Sequence, residues 1–328
     1  MKKYSLVIVA LVFVLSSCGE KKIKEESTQV NYSKVEIPAF NADSAYAYVK
    51  KQCDFGSRVP ESKAHKECGD YLVAFLKQYA DTVIEQNFTT KLYNGKSVKG
   101  RNIIASFNLS STDRAMYASH WDSRAWADND PDANNHKTPI LGANDGASGV
   151  GVLMEMARCL KLKPQKIGVD IVFFDVEDQG CPEWDKTDIQ DQSDWCLGAQ
   201  YWSSHTHVPF YQANYGILLD MVGYSSPRFA KETQSMNYAS SIMDKIWKIA
   251  EDRGFGNMFV NENTGGVMDD HIYVNKDAKV PMIDIVNHDP TTSFFPYWHT
   301  VKDDINCISK KTLKAVGDVC LVAIYSAS

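Results

Sequence analysis

Five short segments of this 328-residue chain carry acidic or imidazole side chains where a hydrophobic run gives way to polar residues. In order they are Ser119-His120-Trp121-Asp122, Gly142-Ala143-Asn144-Asp145-Gly146, Asp175-Val176-Glu177-Asp178, Leu218-Leu219-Asp220-Met221 and Trp298-His299-Thr300. Imidazole and carboxylate donors held at strand ends are what a catalytic zinc ion takes. A glutamate beside a candidate ligand supplies a proton acceptor at the metal. One such segment would carry little weight. Five in succession make a metalloenzyme the leading expectation.

Each segment has a plainer use. His120 and Asp122 form a His-x-Asp pair in which the carboxylate can hold the second ring nitrogen, but such pairs arise often by chance. Asp145 directly precedes a helical pattern, where aspartate is more commonly an N-cap than a ligand; the flanking glycines allow close backbone approach. Adjacent acids such as Glu177 and Asp178 usually face water. Here they follow a deeply apolar run and so sit at a sheet edge, where one can bind metal and the other carry protons. His299 lies among aromatic residues, the setting of a packed core histidine, and only the order of the other segments makes it a ligand candidate. Asp128-Asn129-Asp130-Pro131-Asp132 could offer oxygens to calcium, but its spacing fits no EF-hand and a solvated loop is expected.

The elements that must position these groups are legible as patterns. Apolar runs at 102–107, 115–119, 169–175, 216–219 and 282–286 suit strands, several of them buried on both faces. Helical spacing marks 41–52, 62–79, 146–160, 238–253 and 309–325. Strands interleaved with helices predict a three-layer α/β/α sandwich around a central, mostly parallel twisted sheet. In such sheets ligands bind beyond the carboxyl ends of the strands. His120, Glu177 and Asp220 should therefore converge on one edge, with polar stretches at 123–139, 178–198 and 261–269 looping around it.

Residues 1–17 combine a basic start with an apolar stretch too short to span a bilayer, which reads as a secretory signal. Leu15-Ser16-Ser17-Cys18 resembles the bacterial lipoprotein box, with Cys18 as the lipid-bearing N-terminus. Residues 18–36 are charged and read as a flexible tether, leaving 37–328 as one catalytic domain. The implied location is outside the cytoplasm, membrane-anchored through the lipid alone and facing the periplasm or the cell surface. A net charge of −6 argues against a nucleic-acid partner, and 44% hydrophobic residues support a large core. Seven further cysteines remain. An exported chain can keep disulfides, and Cys181–Cys196, bracketing a loop, is the preferred pair, ahead of Cys53–Cys68 and Cys307–Cys320. Cys159, on the apolar side of a helix, reads as a buried free thiol.

Taken together, the ordered set resembles the zinc aminopeptidase-like superfamily, with its His-x-Asp, Gly-x-x-Asp, paired acids, strand-end Asp and late His. Within it, the chain is most similar to the animal-type glutaminyl-peptide cyclotransferases, or glutaminyl cyclases. Leu218 to Gly223 running on to Ser226-Pro227-Arg228-Phe229, Asp269-Asp270-His271-Ile272, and Val280-Pro281-Met282 leading to Phe295 through Asp304 carry that likeness. The resemblance implies one zinc per chain on Asp145, Asp178 and His299, with Glu177 as acid/base and Asp220 and Asp269 as carboxylates bonded near it. Trp298, and Trp184 in the loop after Asp178, would form aromatic walls of the substrate pocket. The family more often shows glutamate at Asp178; the shorter side chain requires a backbone closer to the metal.

The implied reaction converts an N-terminal glutamine of a peptide or protein to pyroglutamate with release of ammonia. The same residues also suit a di-zinc aminopeptidase, in which Asp145 bridges two ions and His120 and Asp220 bind the second. A third class, a lipid-anchored binding protein without activity, would need a broken catalytic set, and every candidate is intact.

Overall fold

The structure, a computed structural model, describes residues 30–186 and 192–327. The expected signal segment and Cys18 lie outside those residues. The strands are β1 (Thr82–Lys91), β2 (Ser97–Phe107), β3 (Arg114–His120), β4 (Gly168–Phe174), β5 (Tyr215–Asp220), β6 (Phe229–Glu232), β7 (Phe259–Thr264), β8 (Met282–Val286), β9 (His288–Asp289) and β10 (Ser293–Phe294). The helices are α1 (Ala42–Asp54), α2 (Lys63–Leu76), α3 (Ala147–Leu162), α4 (Leu197–Ser204), α5 (Thr233–Asp252), α6 (Asp270–Lys276) and α7 (Lys310–Tyr325).

The main sheet runs β1-β2-β4-β3-β5-β8, with β4, β3, β5 and β8 parallel and the β1–β2 hairpin joined antiparallel to β4. Alternation along each strand builds two cores. Ile103, Tyr117, Ile171, Ile217 and Ile283 face a layer that includes α1, α3 and α7. Ile104, Met116, Val172, Leu218 and Met282 face the other side, toward Trp202 of α4 and Val274 of α6. The result is the expected three-layer sandwich. Parallel register leaves the ends of β3, β4 and β5, hence His120, Phe174 and Asp220, at one edge.

A buried ion pair ties the opposite end of the sheet together. Asp170 on β4 takes both arms of Arg114 on β3 at 2.7 Å, and also accepts from the hydroxyls of Ser106 and Tyr211. Burial opposes its ionisation, but these donors, Arg114 above all, hold its pKa below the usual carboxylate value.

Several expectations need correction. The domain begins at Asn31: residues from the expected tether pack on it, because Tyr32, Val35 and Ile37 cover core side chains. Lys163 Nζ donates to Glu36 O at 2.8 Å, and the Tyr32 amide to Asp252 Oδ2 at 3.2 Å. No disulfide joins the cysteines among the described residues. The preferred pair fails because Cys196 turns its sulfur toward Glu177, while Cys181 Sγ faces the Pro182 carbonyl. Cys307 Sγ faces Asp303 Oδ1 and Cys320 is buried within α7; Cys53 and Cys68 lie buried on separate helices. Cys159 is a buried free thiol, as expected. The stretch 261–269 is not all loop, since β7 enters it, and the loop 178–198 ends in the start of α4.

Asp170→Ala should cost about 3 kcal/mol by leaving Arg114 largely buried and unpaired, read from chemical denaturation. Because the folded-state pKa of Asp170 is depressed, its contribution is present at neutral pH and is lost as pH falls through the carboxylate range. An Asp170→Ala protein as stable as the parent at neutral pH would contradict this account.

Candidate metal centre

The five chemical segments meet in one buried cluster at the carboxyl ends of the strands. Asp145 stands at its middle. It is not an N-cap: Gly146 is the cap residue of α3 and supplies no side-chain bond. The loop is instead fixed from outside by Asp303, whose oxygens accept from the Asn144 and Asp145 amides at 2.7 and 3.0 Å. Glycine is required at 146, where φ is +89° and a Cβ would lie 2.8 Å from the His120 ring.

Two donor triads share Asp145. One is Asp145, Asp178 and His299, with His299 Nε2 at 3.2 Å from Asp178 Oδ1 and 3.6 Å from Asp145 Oδ2. The other is His120, Asp145 and Asp220, with His120 Nε2 at 3.0 Å from Asp145 Oδ1 and 3.3 Å from Asp220 Oδ1. Each oxygen of Asp145 thus faces a different imidazole. Nitrogen and carboxylate donors at this spacing fit a zinc ion. The shorter Asp178 side chain reaches the cluster, two residues after Val176, whose φ is +56°. Buried Asp178 Oδ2 and Asp220 Oδ1 make no hydrogen bond within the described residues, and a bound cation would satisfy them.

Carboxylates behind the ligands orient them. Asp128 Oδ1 lies 3.4 Å from His299 Nδ1, and Arg124 holds Asp128 through Nε at 2.7 Å. Asp130 accepts from the Val301 amide and the Asn135 side chain. The 128–132 stretch is therefore a buried brace at Asp128 and Asp130, not the solvated loop expected. Asp122 accepts from the Glu177 and Asp178 amides and from Gln179. Two residues before Glu177, Asp175 pairs with His65 Nε2 at 2.8 Å and anchors the strand end.

Glu177 lies beside the triads, 3.9 Å from His120 Nδ1. Burial first, then the charges of Asp269 and Asp178, push its pKa well up. Burial likewise raises Asp220 to about 6, and burial with the Asp220 charge raises Asp269 to about 7. Acids so crowded cannot all be ionised and titrate together.

A cavity of about 350 Å³ opens beside His299, lined by Trp195, Val267, Met268, Phe294 and Trp298. Trp298 stacks on the His299 ring at 3.9 Å, and Trp195 lies parallel to it at 6.1 Å. Trp298, expected as a wall of the substrate pocket, lines this cavity. Trp184 is not part of the lining: it is 41% exposed and packs against Trp126 and His136. Trp195, eleven residues further along the same loop, lines the cavity instead, and loop residues give no periodic signal by which to choose between the two. A larger cleft of about 500 Å³ shares Phe294 as a wall but holds none of the candidate ligands.

Asp128→Ala should weaken zinc binding about 10- to 100-fold by freeing the His299 ring, measured by competition with a chelator. Unchanged affinity would show that Asp128 does not orient the ligand.

The chain is similar to several known proteins along most of its length. A solved Bacteroides thetaiotaomicron glutaminyl cyclase bound to N-acetylhistamine is 47% identical, covering 89% of this chain and all of its own, with a TM-score of 0.88. A Zn-dependent exopeptidase from Parabacteroides distasonis is 48% identical over 89% of this chain and all of its own, with a TM-score of 0.87. The glutaminyl-peptide cyclotransferase of Dictyostelium discoideum is 22% identical over 99% of both chains. The aminopeptidase YwaD of Bacillus subtilis is 29% identical over 57% of this chain, which spans only 38% of that relative's length. The model for peptidase family M28 matches residues 102–324, so the chain belongs to that family.

Proposed function

We propose that this chain is a zinc-dependent glutaminyl-peptide cyclotransferase acting on peptides or proteins that begin with glutamine. The observation that carries the reading is the aromatic-walled pocket of Trp195 and Trp298 set against His299, with buried Glu177 beside the same donor cluster. Cyclisation consumes no water, so a pocket that encloses the glutamine side chain and excludes solvent serves it directly. The match to a solved glutaminyl cyclase over that protein's full length supports the same reading.

Asp145, Asp178 and His299 would hold one zinc ion, which supplies Lewis-acid polarisation of the γ-carboxamide oxygen. The substrate's α-amine nitrogen bonds to the γ-carbonyl carbon and the bond from that carbon to the amide nitrogen breaks. Glu177 takes a proton from the attacking amine and delivers it to the departing nitrogen, which leaves as ammonia. Burial and the neighbouring acids raise its pKa and so favour its holding a proton part-way through the reaction. Asp269, brought to about 7, and Asp220 share the remaining protons and limit the negative charge around Glu177. Trp298 orients the glutamine side chain.

A second reading rests on one observation, the His120–Asp145–Asp220 triad, which would give an M28 aminopeptidase its second metal. A Gln-initiated peptide should release ammonia without hydrolysis of Leu-p-nitroanilide, and Glu177→Gln should lower turnover about a thousandfold while retaining zinc. Hydrolysis without ammonia, together with two tightly held zinc ions, would move the assignment to the aminopeptidase.

We further propose that the chain is exported and anchored through Cys18, supported by the basic, apolar and small-residue order of its first residues. Cys18→Ala should release the protein from the membrane fraction on cell fractionation; continued, unprocessed membrane association would overturn the lipid anchor.

A further inference from the structure

Cys196 touches the reaction centre and has no part in the chemistry above. It begins α4 with φ +57°, in the left-handed region that side chains other than glycine rarely occupy. Val176, one residue before the acid/base glutamate, is left-handed as well, at +56°. The two turns are stitched to each other. The Cys196 amide donates to Glu177 O at 3.0 Å and the Leu197 amide to Val176 O at 3.1 Å. Asn102 bridges the same pair of segments, accepting from the Asp175 amide and donating to Gly198 O. Gly198 comes so close to Asp175 that a Cβ would stand 2.2 Å from its carbonyl oxygen, so no larger residue fits. Local strain held in place by surrounding contacts is a mark of functional sites.

This stitching aims one side chain. Cys196 Sγ lies 3.3 Å from Glu177 Oε1, while the other oxygen, Oε2, faces His120. The thiol is completely buried. Burial and the neighbouring charges of Glu177, Asp270 and Asp269 push its pKa well up, so the sulfur keeps its proton and acts as a donor. Two other cysteine sulfurs face carboxylates, Cys159 near Glu155 and Cys307 near Asp303, and neither of these is Glu177.

We propose that Cys196 is a positioning residue for the cyclisation: its S–H donates to Glu177 Oε1 and thereby fixes the carboxylate with Oε2 held toward His120 beside the donor cluster. The inference rests on Glu177 being the acid/base group. An S–H donor is weak, but a glutamate has three side-chain torsions to hold, and a carboxylate about 1 Å out of place transfers protons poorly. Cys196 touches no substrate atom in this account. It acts through Glu177.

The test compares Cys196→Ala and Cys196→Ser with the parent protein, each loaded with zinc and with its metal content measured. Cys196→Ala should lower kcat about five- to tenfold, the loss of one modest hydrogen bond, with KM within about twofold. Cys196→Ser, which keeps a donor, should recover most of the loss. Parental kcat in the alanine variant, a loss confined to KM, or a serine variant as impaired as alanine would each overturn the proposal. A second measurement needs neither substrate nor these variants. The infrared S–H stretch of the parent should contain a hydrogen-bonded thiol band that moves in Glu177→Gln. Identical S–H bands in the two proteins would remove the contact on which the inference stands. A band that moves in a protein releasing no ammonia would leave the contact intact and place the failure in the functional reading.

Discussion

The structure depends on one carboxylate placed between two imidazoles. Asp145 has no hydrogen-bonding duty toward its own helix, and both its oxygens are turned to histidines from distant parts of the chain. That placement requires a loop stiff enough to resist the natural use of aspartate as a cap. Asp303 provides the stiffness by accepting two successive amides, and Gly142 and Gly146 provide the backbone geometry. The loop lies at the end of the sheet because β3 and β4 are parallel neighbours and α3 crosses between them.

Concentrating so many acids out of water is expensive, and the fold meets the cost in three ways. Some acids receive dedicated donors: Asp122 from two amides and Gln179, Asp128 from Arg124. Others face imidazoles. The remainder, Glu177, Asp269 and Asp270, are pushed toward the neutral form by burial and by one another. The division separates groups that must stay charged and fixed from groups that can exchange protons.

The main features were legible in the sequence because they rest on strong local signals. Strands β2, β3, β4, β5 and β8 contain apolar runs, and His120, Glu177 and Asp220 end or follow three of them, whereas the short or polar β6, β7, β9 and β10 carry no such signal. Where the reading fell short, the deciding contacts are remote or the local signal is weak. β1 is an edge strand with a single buried position, Phe88, so its polar residues gave no alternation to read. α4 and α6 have eight and seven residues, too few for a helical period to stand out. Trp184 and Trp195 are chemically equal candidates in one loop, and only packing against His299 separates them. The brace at Asp128 depends on Arg124 and His299, neither of which marks it in advance. The expected Cys181–Cys196 bridge rests on the two residues bracketing a loop, whereas a sulfur's partner is set by where its side chain points.

The seven cysteines from Cys53 onward are all buried and none is cross-linked. Among the described residues, then, the native state offers no sulfur bridge for a reductant to open. The unfolded chain is in the opposite position. In an oxidising compartment its exposed sulfurs could couple in combinations the native core has no room for, so that folding becomes a race between burial and oxidation. Each sulfur that is buried early leaves that race.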